Sequence, residues 1–169
     1  GSAYVNEDVT ASTPYCRIYP ADIFVSNDGL NYTLNLPAEY TYATTTFNNQ
    51  TVQNLASPMV AYANGGTQLY FKHVTAAIGV KIINDFGIDV RVTNITVSSN
   101  KYKLQGSTTV TLGNTITVNP VSSDNASLRT VQMNFNEAQL LIASGASATV
   151  QVPVLPVDND NRFTISVTV

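Results

Sequence analysis

The stretch Phe163-Thr164-Ile165-Ser166-Val167-Thr168-Val169 alternates apolar and polar residues without a break. Successive side chains of a β-strand point to opposite faces, so this pattern predicts a strand with one face in a core and the other in water. The same alternation occurs in residues 30–36, 78–82 and 150–154. Because two sheets of such strands can bury their apolar faces against each other, the sequence predicts an all-β fold, a sandwich of two antiparallel sheets.

The composition favours the same fold class. The chain of 169 residues is 44% hydrophobic but only 11% charged, whereas an average soluble domain is about 25% charged. Neutral polar residues beside Val and Ile suit exposed strand faces, while long surface helices draw on Glu, Lys and Arg. The net charge is −3 with scattered basic residues, which predicts no binding to nucleic acid.

Apolar runs and turn signals together predict the positions of the strands. In one run the apolar residues change from even positions, Val90 and Val92, to odd positions, Ile95 and Val97. We therefore expect a bulge near Thr93-Asn94, which would bring both pairs to the same face. Residues 136–143 are a candidate helix, and the polar segment 43–57 is predicted to be a long loop. The predicted strands are 16–25, 30–36, 58–63, 68–74, 76–84, 88–98, 107–112, 115–119, 128–134, 148–155 and 162–169.

The chain contains no linker of low complexity, so residues 3–169 are predicted to form one β-sandwich domain. Residues 1–2, Gly-Ser, are typical of an expression scar, and we infer that any export signal has been removed. The last strand runs to Val169 without a turn, which predicts that this domain is the first of a longer protein.

Candidate catalytic and metal-binding residues are few. His73 is the single histidine and Cys16 the single cysteine, and no Gly-x-Ser-x-Gly turn presents a nucleophile. The run Asp158-Asn159-Asp160-Asn161 could supply oxygen ligands to Ca²⁺, but it lacks the Gly and final Glu of a calcium loop. We therefore interpret His73 and Cys16 as structural, interpret 158–161 as a turn, and predict no catalytic residue, no metal and no cofactor.

Tyrosine is the abundant aromatic residue, with nine Tyr, six Phe and no Trp. Sugar-binding modules stack aromatic rings against saccharides, although Tyr rings also pack half-buried with the hydroxyl at a rim. The candidate ligand platform consists of Tyr15, Tyr19, Tyr40, Tyr42 and Tyr102.

Residues 58–106 carry a family resemblance. They contain Pro58-Met59-Val60-Ala61, the run Phe71-Lys72-His73-Val74-Thr75-Ala76-Ala77, the strand Val92-Thr93-Asn94-Ile95, and Leu104-Gln105-Gly106. In this order they resemble the fimbrillin-like (Mfa-like) proteins of Gram-negative anaerobes. More loosely, Tyr19-Pro20-Ala21, residues 152–156 and residues 163–169 resemble flanking segments of that family, so the resemblance covers about 15–169.

The resemblance implies a transthyretin-like, Greek-key sandwich that is exported to the cell surface or outer membrane. It also implies a lipid anchor upstream of this chain, and partners that are other fimbrial subunits joined by strand addition to a sheet edge. A surface with few charges protects such edges weakly, which suits a subunit that is meant to be paired.

Three functional hypotheses follow in order of preference. The first is a structural or adhesive fimbrial subunit without catalysis. The alternative is a surface module that binds carbohydrate or a host ligand, for which the five tyrosines would be the platform. An enzyme that depends on His73 is the third.

Overall fold

The computed structural model describes residues 14–26, 28, 30–55, 57–64, 68–136 and 140–169. Within these ranges the chain is all β, with one short 3-10 turn at Ala21–Ile23 and no α-helix. The predicted fold class is therefore confirmed at this level.

The described part of the chain contains seventeen strands. The first six are β1 (Pro14–Tyr19), β2 (Phe24–Ser26), β3 (Asn31–Leu36), β4 (Glu39–Thr41), β5 (Thr44–Phe47) and β6 (Gln50–Gln53). The next six are β7 (Met59–Asn64), β8 (Lys72–His73), β9 (Ala76–Ile83), β10 (Val90–Arg91), β11 (Asn94–Ser99) and β12 (Gly106–Thr111). The last five are β13 (Thr117–Val118), β14 (Thr130–Asn134), β15 (Leu141–Ile142), β16 (Ser147–Val154) and β17 (Phe163–Thr168).

These strands form several antiparallel sheets. Two sheets have four strands, in the orders β13-β12-β3-β2 and β17-β11-β14-β4, and a third has the order β1-β7-β8. Strands β16 and β9, β10 and β15, and β5 and β6 form two-stranded sheets. The pairing of β4 with β14 is parallel, and it is the one exception to the predicted antiparallel arrangement among the described strands.

The core consists of two clusters of buried side chains. The first is built on the core faces of β11, β14 and β16 and includes Ile95, Val97, Val131, Val150 and Val152. The second is built on β3, β7 and β12 and includes Leu34, Leu36, Val60 and Val110. Along β3 and β11 the buried side chains alternate with less buried ones. The architecture is therefore sandwich-like, with apolar faces of sheets turned inward.

The structure confirms the predicted bulge at Thr93-Asn94. Asn94 is the register partner of Thr168 on β17, and the Thr93 N–H donates to the carbonyl of the same Thr168 at 2.8 Å. Two residues of one strand thus oppose one residue of the other. As a result Val92 and Ile95, which lie on opposite parities, both point into the core.

The prediction of a loop at 43–57 is wrong over much of its length. Residues in β5 and β6 form a hairpin whose two-residue turn is Asn48-Asn49, with φ of 49° and 61°. Positive φ at both turn positions matches a type I′ turn, for which Asn is a favoured residue. The Thr-rich strands lack apolar alternation because all of β5 is exposed, and so their sequence resembles a loop.

Three other predicted elements need correction. The strand predicted at 16–25 is divided at Pro20, which has no N–H for a ladder hydrogen bond, into β1, the 3-10 turn and β2. Of the strand predicted at 68–74, only β8 has strand pairing. The prediction of a helix at 136–143 is wrong at Leu141 and Ile142, because these residues pair with β10 as a strand. Residues 137–139 lie outside the described part.

The Asn48-Asn49 turn makes a prediction about stability. Asn49 is exposed and has a positive φ, so Asn49→Val should lower the free energy of unfolding by about 1–2 kcal/mol through backbone strain alone. Asn54→Val, at an exposed position outside the left-handed region, is the matched control and should have a smaller effect. Urea denaturation measures both; equal effects would contradict the turn assignment.

Candidate functional site

Strand β17 lies at the edge of its four-stranded sheet. It pairs with β11 over six residues, in a register that places Val167 opposite Ile95, Ile165 opposite Val97 and Phe163 opposite Ser99. On its other side no strand formed by the described residues pairs with it. Within the described part of the chain, this whole edge of the sheet is therefore open to another strand.

The apolar side chains of β17 form a row that the core leaves uncovered. Directly opposed residues of an antiparallel pair project from the same face of the sheet, so Ile165 and Val167 share the core face with Val97 and Ile95. Those two β11 side chains are fully buried, yet the β17 side chains are exposed: Phe163 by 39%, Ile165 by 43%, Val167 by 38% and Val169 by 59%. We call these four residues the apolar row.

The backbone of the apolar row also points outward. The Asn100 N–H donates to the carbonyl of its register neighbour Arg162 at 3.1 Å. Hydrogen-bonded pairs alternate along an antiparallel ladder, so Thr164, Ser166 and Thr168 direct their backbone groups at β11. The N–H and C=O groups of Phe163, Ile165 and Val167 therefore face the free edge.

Most of the other sheet edges are short, charged or covered, and the four-residue strands of the β5-β6 hairpin are exposed with no buried face. Strands β2, β4, β8 and β13 contain only two or three residues each, while β1 and β9 carry Arg17 and Lys81. At β16 the side-chain amide of Gln53 accepts from the Gln151 N–H and donates to the Gln151 carbonyl, both at 2.8 Å. Natural sheets use such features to prevent unwanted pairing, and β17 has none of them along its six residues.

A polar cluster holds the turn that leads into β17. The Lys101 ammonium contacts the Asp160 carboxylate at 2.5 Å. The Tyr102 hydroxyl lies 2.8 Å from Asp160 and 3.1 Å from Asp158, and its one proton is best placed for Asp160. The Ser99 hydroxyl donates to the Asn161 side chain at 2.6 Å. These contacts join the end of β11 to the start of β17.

Charge in this cluster is complementary. Hydrogen bonds from Lys101 and then from Tyr102 lower the pKa of the Asp160 carboxyl, and the bond to Asp160 raises the pKa of Lys101. For Tyr102 the bond with Lys101 lowers the pKa, but the bond to Asp160, burial and the bond to Asp158 together outweigh it, and the pKa is raised. Three of the four carboxylate oxygens of Asp158 and Asp160 thus contact side chains of the protein, which is consistent with a structural turn.

Among the described residues, no group of three or more His, Cys, Asp or Glu side chains converges as a metal site would require. His73 is exposed and its Nδ1 lies 2.8 Å from the Ser57 hydroxyl. It sits between two shallow depressions of about 210 and 270 Å³. Over the same described residues no carboxylate contacts the imidazole, so the third group that orients a catalytic histidine is not seen there.

The candidate tyrosine platform is not a shared surface of exposed rings. Tyr42 is buried against Phe135, with ring centroids 4.8 Å apart, and Tyr102 is buried beneath the 158–161 turn. Neither ring can offer a face to a sugar, which corrects the prediction at these two positions. Tyr19 is exposed at the end of β1, and Tyr15 pairs with Ala63 through its backbone, its side chain lying outside the described part.

Tyr40 is partly buried. Its ring packs against the first core cluster, and its hydroxyl is buried with no hydrogen-bond partner among the described residues. Burial raises the pKa of Tyr40 to about 12. Cys16, by contrast, has a partner, since its Sγ lies 3.0 Å from the Tyr32 hydroxyl, as a structural cysteine would.

Comparison with known proteins identifies no relative. No protein-family model matches the chain, and neither a curated protein nor a solved structure matches it. Within the described ranges, no helix has the length and apolar character needed to cross a membrane.

Sequence reasoning found the alternation of β17 but not the features that make its edge a site. Lys101 and Asp160 lie 59 residues apart, and Gln53 and Gln151 lie 98 residues apart. Neither pair forms a local motif, so only the tertiary structure brings them together. The exposure of the apolar row is also a property of the tertiary structure, because it depends on how far the buried core clusters extend across the sheet.

The buried hydroxyl of Tyr40 leads to a prediction of stability. Because a buried donor without a partner costs about 1–3 kcal/mol, Tyr40→Phe should raise the free energy of unfolding by about 1 kcal/mol. Tyr102→Phe is the matched control, since it removes a hydroxyl that is hydrogen-bonded and should lower stability. Chemical denaturation of both variants is the measurement, and a loss of stability in Tyr40→Phe would contradict the packing described.

Proposed function

We propose that this chain is a structural or adhesive subunit of a cell-surface fimbria, without catalytic activity. In this proposal the protein is exported to the outer membrane, where a lipid anchor upstream of this sequence can hold it. Neighbouring fimbrial subunits join it by adding a strand to the free edge of β17.

The observation that carries the proposal is the combination of two features in β17. Its outward-facing backbone groups can bond to an incoming strand, and its apolar row can be covered by that strand's side chains. Peptide recognition by strand addition needs both, because backbone hydrogen bonds provide affinity and side-chain contacts provide specificity. Ile165 is one of the two inner members of the row and meets both requirements.

The resemblance to fimbrillin-like proteins supports the same proposal. The residues that carry it lie largely in strands or beside them, and Val60, Val74, Ile95 and Leu104 are buried. These four are packing residues, as expected for motifs that define a fold, whereas Phe71, Lys72 and His73 of the same run are exposed. We further propose that the sheets follow a transthyretin-like, Greek-key order.

A surface module that binds carbohydrate or a host ligand is the alternative function. It has less support, because burial of Tyr42 and Tyr102 removes two of the five rings on which it was based. An adhesive role within a fimbria is still part of the proposal, with the ligand unassigned.

The test is Ile165→Lys in the full-length gene, expressed in the bacterium that carries it. A charge pointing inward at a sheet edge opposes strand addition, so we expect high-mass assemblies on the cell surface to fall by about tenfold or more. Immunogold imaging and gel analysis of sheared surface material provide the measurement. Ile165 is partly exposed, so the variant should fold, which circular dichroism verifies.

Thr164→Lys is the control, because it places the same charge on the same strand but on the opposite face, where the side chain can reach water. It should assemble much better than Ile165→Lys. Confinement of the unsubstituted protein to the cytoplasm would refute the proposal, as would normal assembly of Ile165→Lys.

A further inference from the structure

We propose that, when no donor strand is present, the free edge of β17 pairs with β17 of a second copy of this chain. The two strands run antiparallel about a two-fold axis that passes beside Ser166. The inference rests on the edge used by the proposed function, since a donor strand and a second copy compete for the same backbone groups.

The backbone of β17 is suited to pairing with itself. The groups that face the free edge belong to Phe163, Ile165 and Val167, which all have odd numbers. An axis at Ser166 places Ile165 opposite Val167 of the second copy, and each of these residues directs its N–H and C=O at the other. Two-fold symmetry repeats this pair, so it provides four backbone hydrogen bonds across the axis.

The side chains select this register. With the axis at Ser166, Phe163 lies opposite Val169 and Ile165 opposite Val167, so all four members of the apolar row meet an apolar partner. A shift of the axis to Ile165 leaves Val169 opposite Asn161. Since a two-fold axis perpendicular to the sheet keeps the core faces of both copies on one side, each row covers part of the other.

Charge does not oppose self-pairing. Strand β17 contains no charged residue, and the nearest one in sequence is Arg162. In the proposed register the two Arg162 residues lie eight positions apart along the strands, or roughly 27 Å at 3.4 Å per residue. A strand that carried a charge near its centre would meet the same charge in its copy, and β17 avoids this repulsion.

The expected dimer is weak and reversible. Four partly exposed apolar side chains from each copy form a small contact compared with the roughly 1,200–2,000 Å² of a stable interface. Sedimentation velocity of the unsubstituted protein should therefore show a dimer fraction that increases with concentration. Ile165→Lys should abolish that increase.

Disulfide capture tests the register directly, with Cys16→Ser as background. In the proposed dimer the two Ser166 residues form a non-hydrogen-bonded pair, with Cα atoms about 4.5 Å apart, within the disulfide range of about 4.4–6.8 Å. We expect Ser166→Cys to give a covalent dimer under mild oxidation. Thr164→Cys is the control, since its two copies lie roughly 14 Å apart along the strand and should crosslink at least about tenfold more slowly.

Each result decides the inference. Faster crosslinking of Ser166→Cys, abolished by Ile165→Lys in the same chain, supports it. Equal rates, or faster crosslinking of Thr164→Cys, would overturn it. The inference can fail alone: if Ser166→Cys does not crosslink but Ile165→Lys still prevents surface assembly, the edge takes a donor strand and not a second copy. Conversely, if Ser166→Cys crosslinks but the protein is confined to the cytoplasm, self-pairing stands and the proposed fimbrial function fails.

Discussion

The bulge at Thr93-Asn94 is the constraint on which the arrangement of β17 depends. Val92 and Ile95 must both enter the core although they lie three residues apart on a strand, and a regular strand would point them to opposite faces. The extra residue resolves this conflict, and Thr168 of β17 bonds to it. That contact sets the register of β17, and with it the face on which Phe163, Ile165 and Val167 lie. A one-residue slip would turn the apolar row to the outer face.

The register explains why β17 is both part of the core layer and left open. Its row continues the apolar face formed by Ile95 and Val97, but the buried clusters do not extend over it. The polar contacts of Lys101, Tyr102 and Asp160 hold the strand at its start, so the open edge has a defined position. Elsewhere in the described part of the chain, length, charge or the Gln53 amide protects most edges, and the uncharged β5-β6 hairpin has no buried apolar face to extend. The unprotected edge of β17, held at a defined position, is the basis for proposing assembly by strand addition.

Some of this could be predicted from the sequence because the signals are local. The parity change between Val92 and Ile95 is sufficient to place the bulge, and alternation is sufficient to place β3 and β17. The Asn48-Asn49 turn also has a local signal, but the exposed Thr-rich strands beside it obscured the hairpin. The run Leu140-Leu141-Ile142 suits a helix or a strand by composition, and pairing with β10 decides in favour of the strand at Leu141–Ile142.

The site itself could not be predicted, because it is defined by what the other described residues leave uncovered. Alternation in β17 predicts that one face is apolar, but not that this face is exposed. The burial of Tyr42 and Tyr102 is equally a tertiary property, set by Phe135 in one case and by the 158–161 turn in the other. Sequence therefore determined the strands more reliably than the surfaces that the strands present.

Amide hydrogen exchange along β17, followed residue by residue, tests the central claim most directly. In dilute protein the amides of Thr164, Ser166 and Thr168 should be protected by β11, while those of Ile165 and Val167 exchange rapidly at the free edge. In assembled material from the cell surface, Ile165 and Val167 should become protected by about a hundredfold or more. Protection of these two amides already in the dilute protein, or their rapid exchange after assembly, would contradict the account.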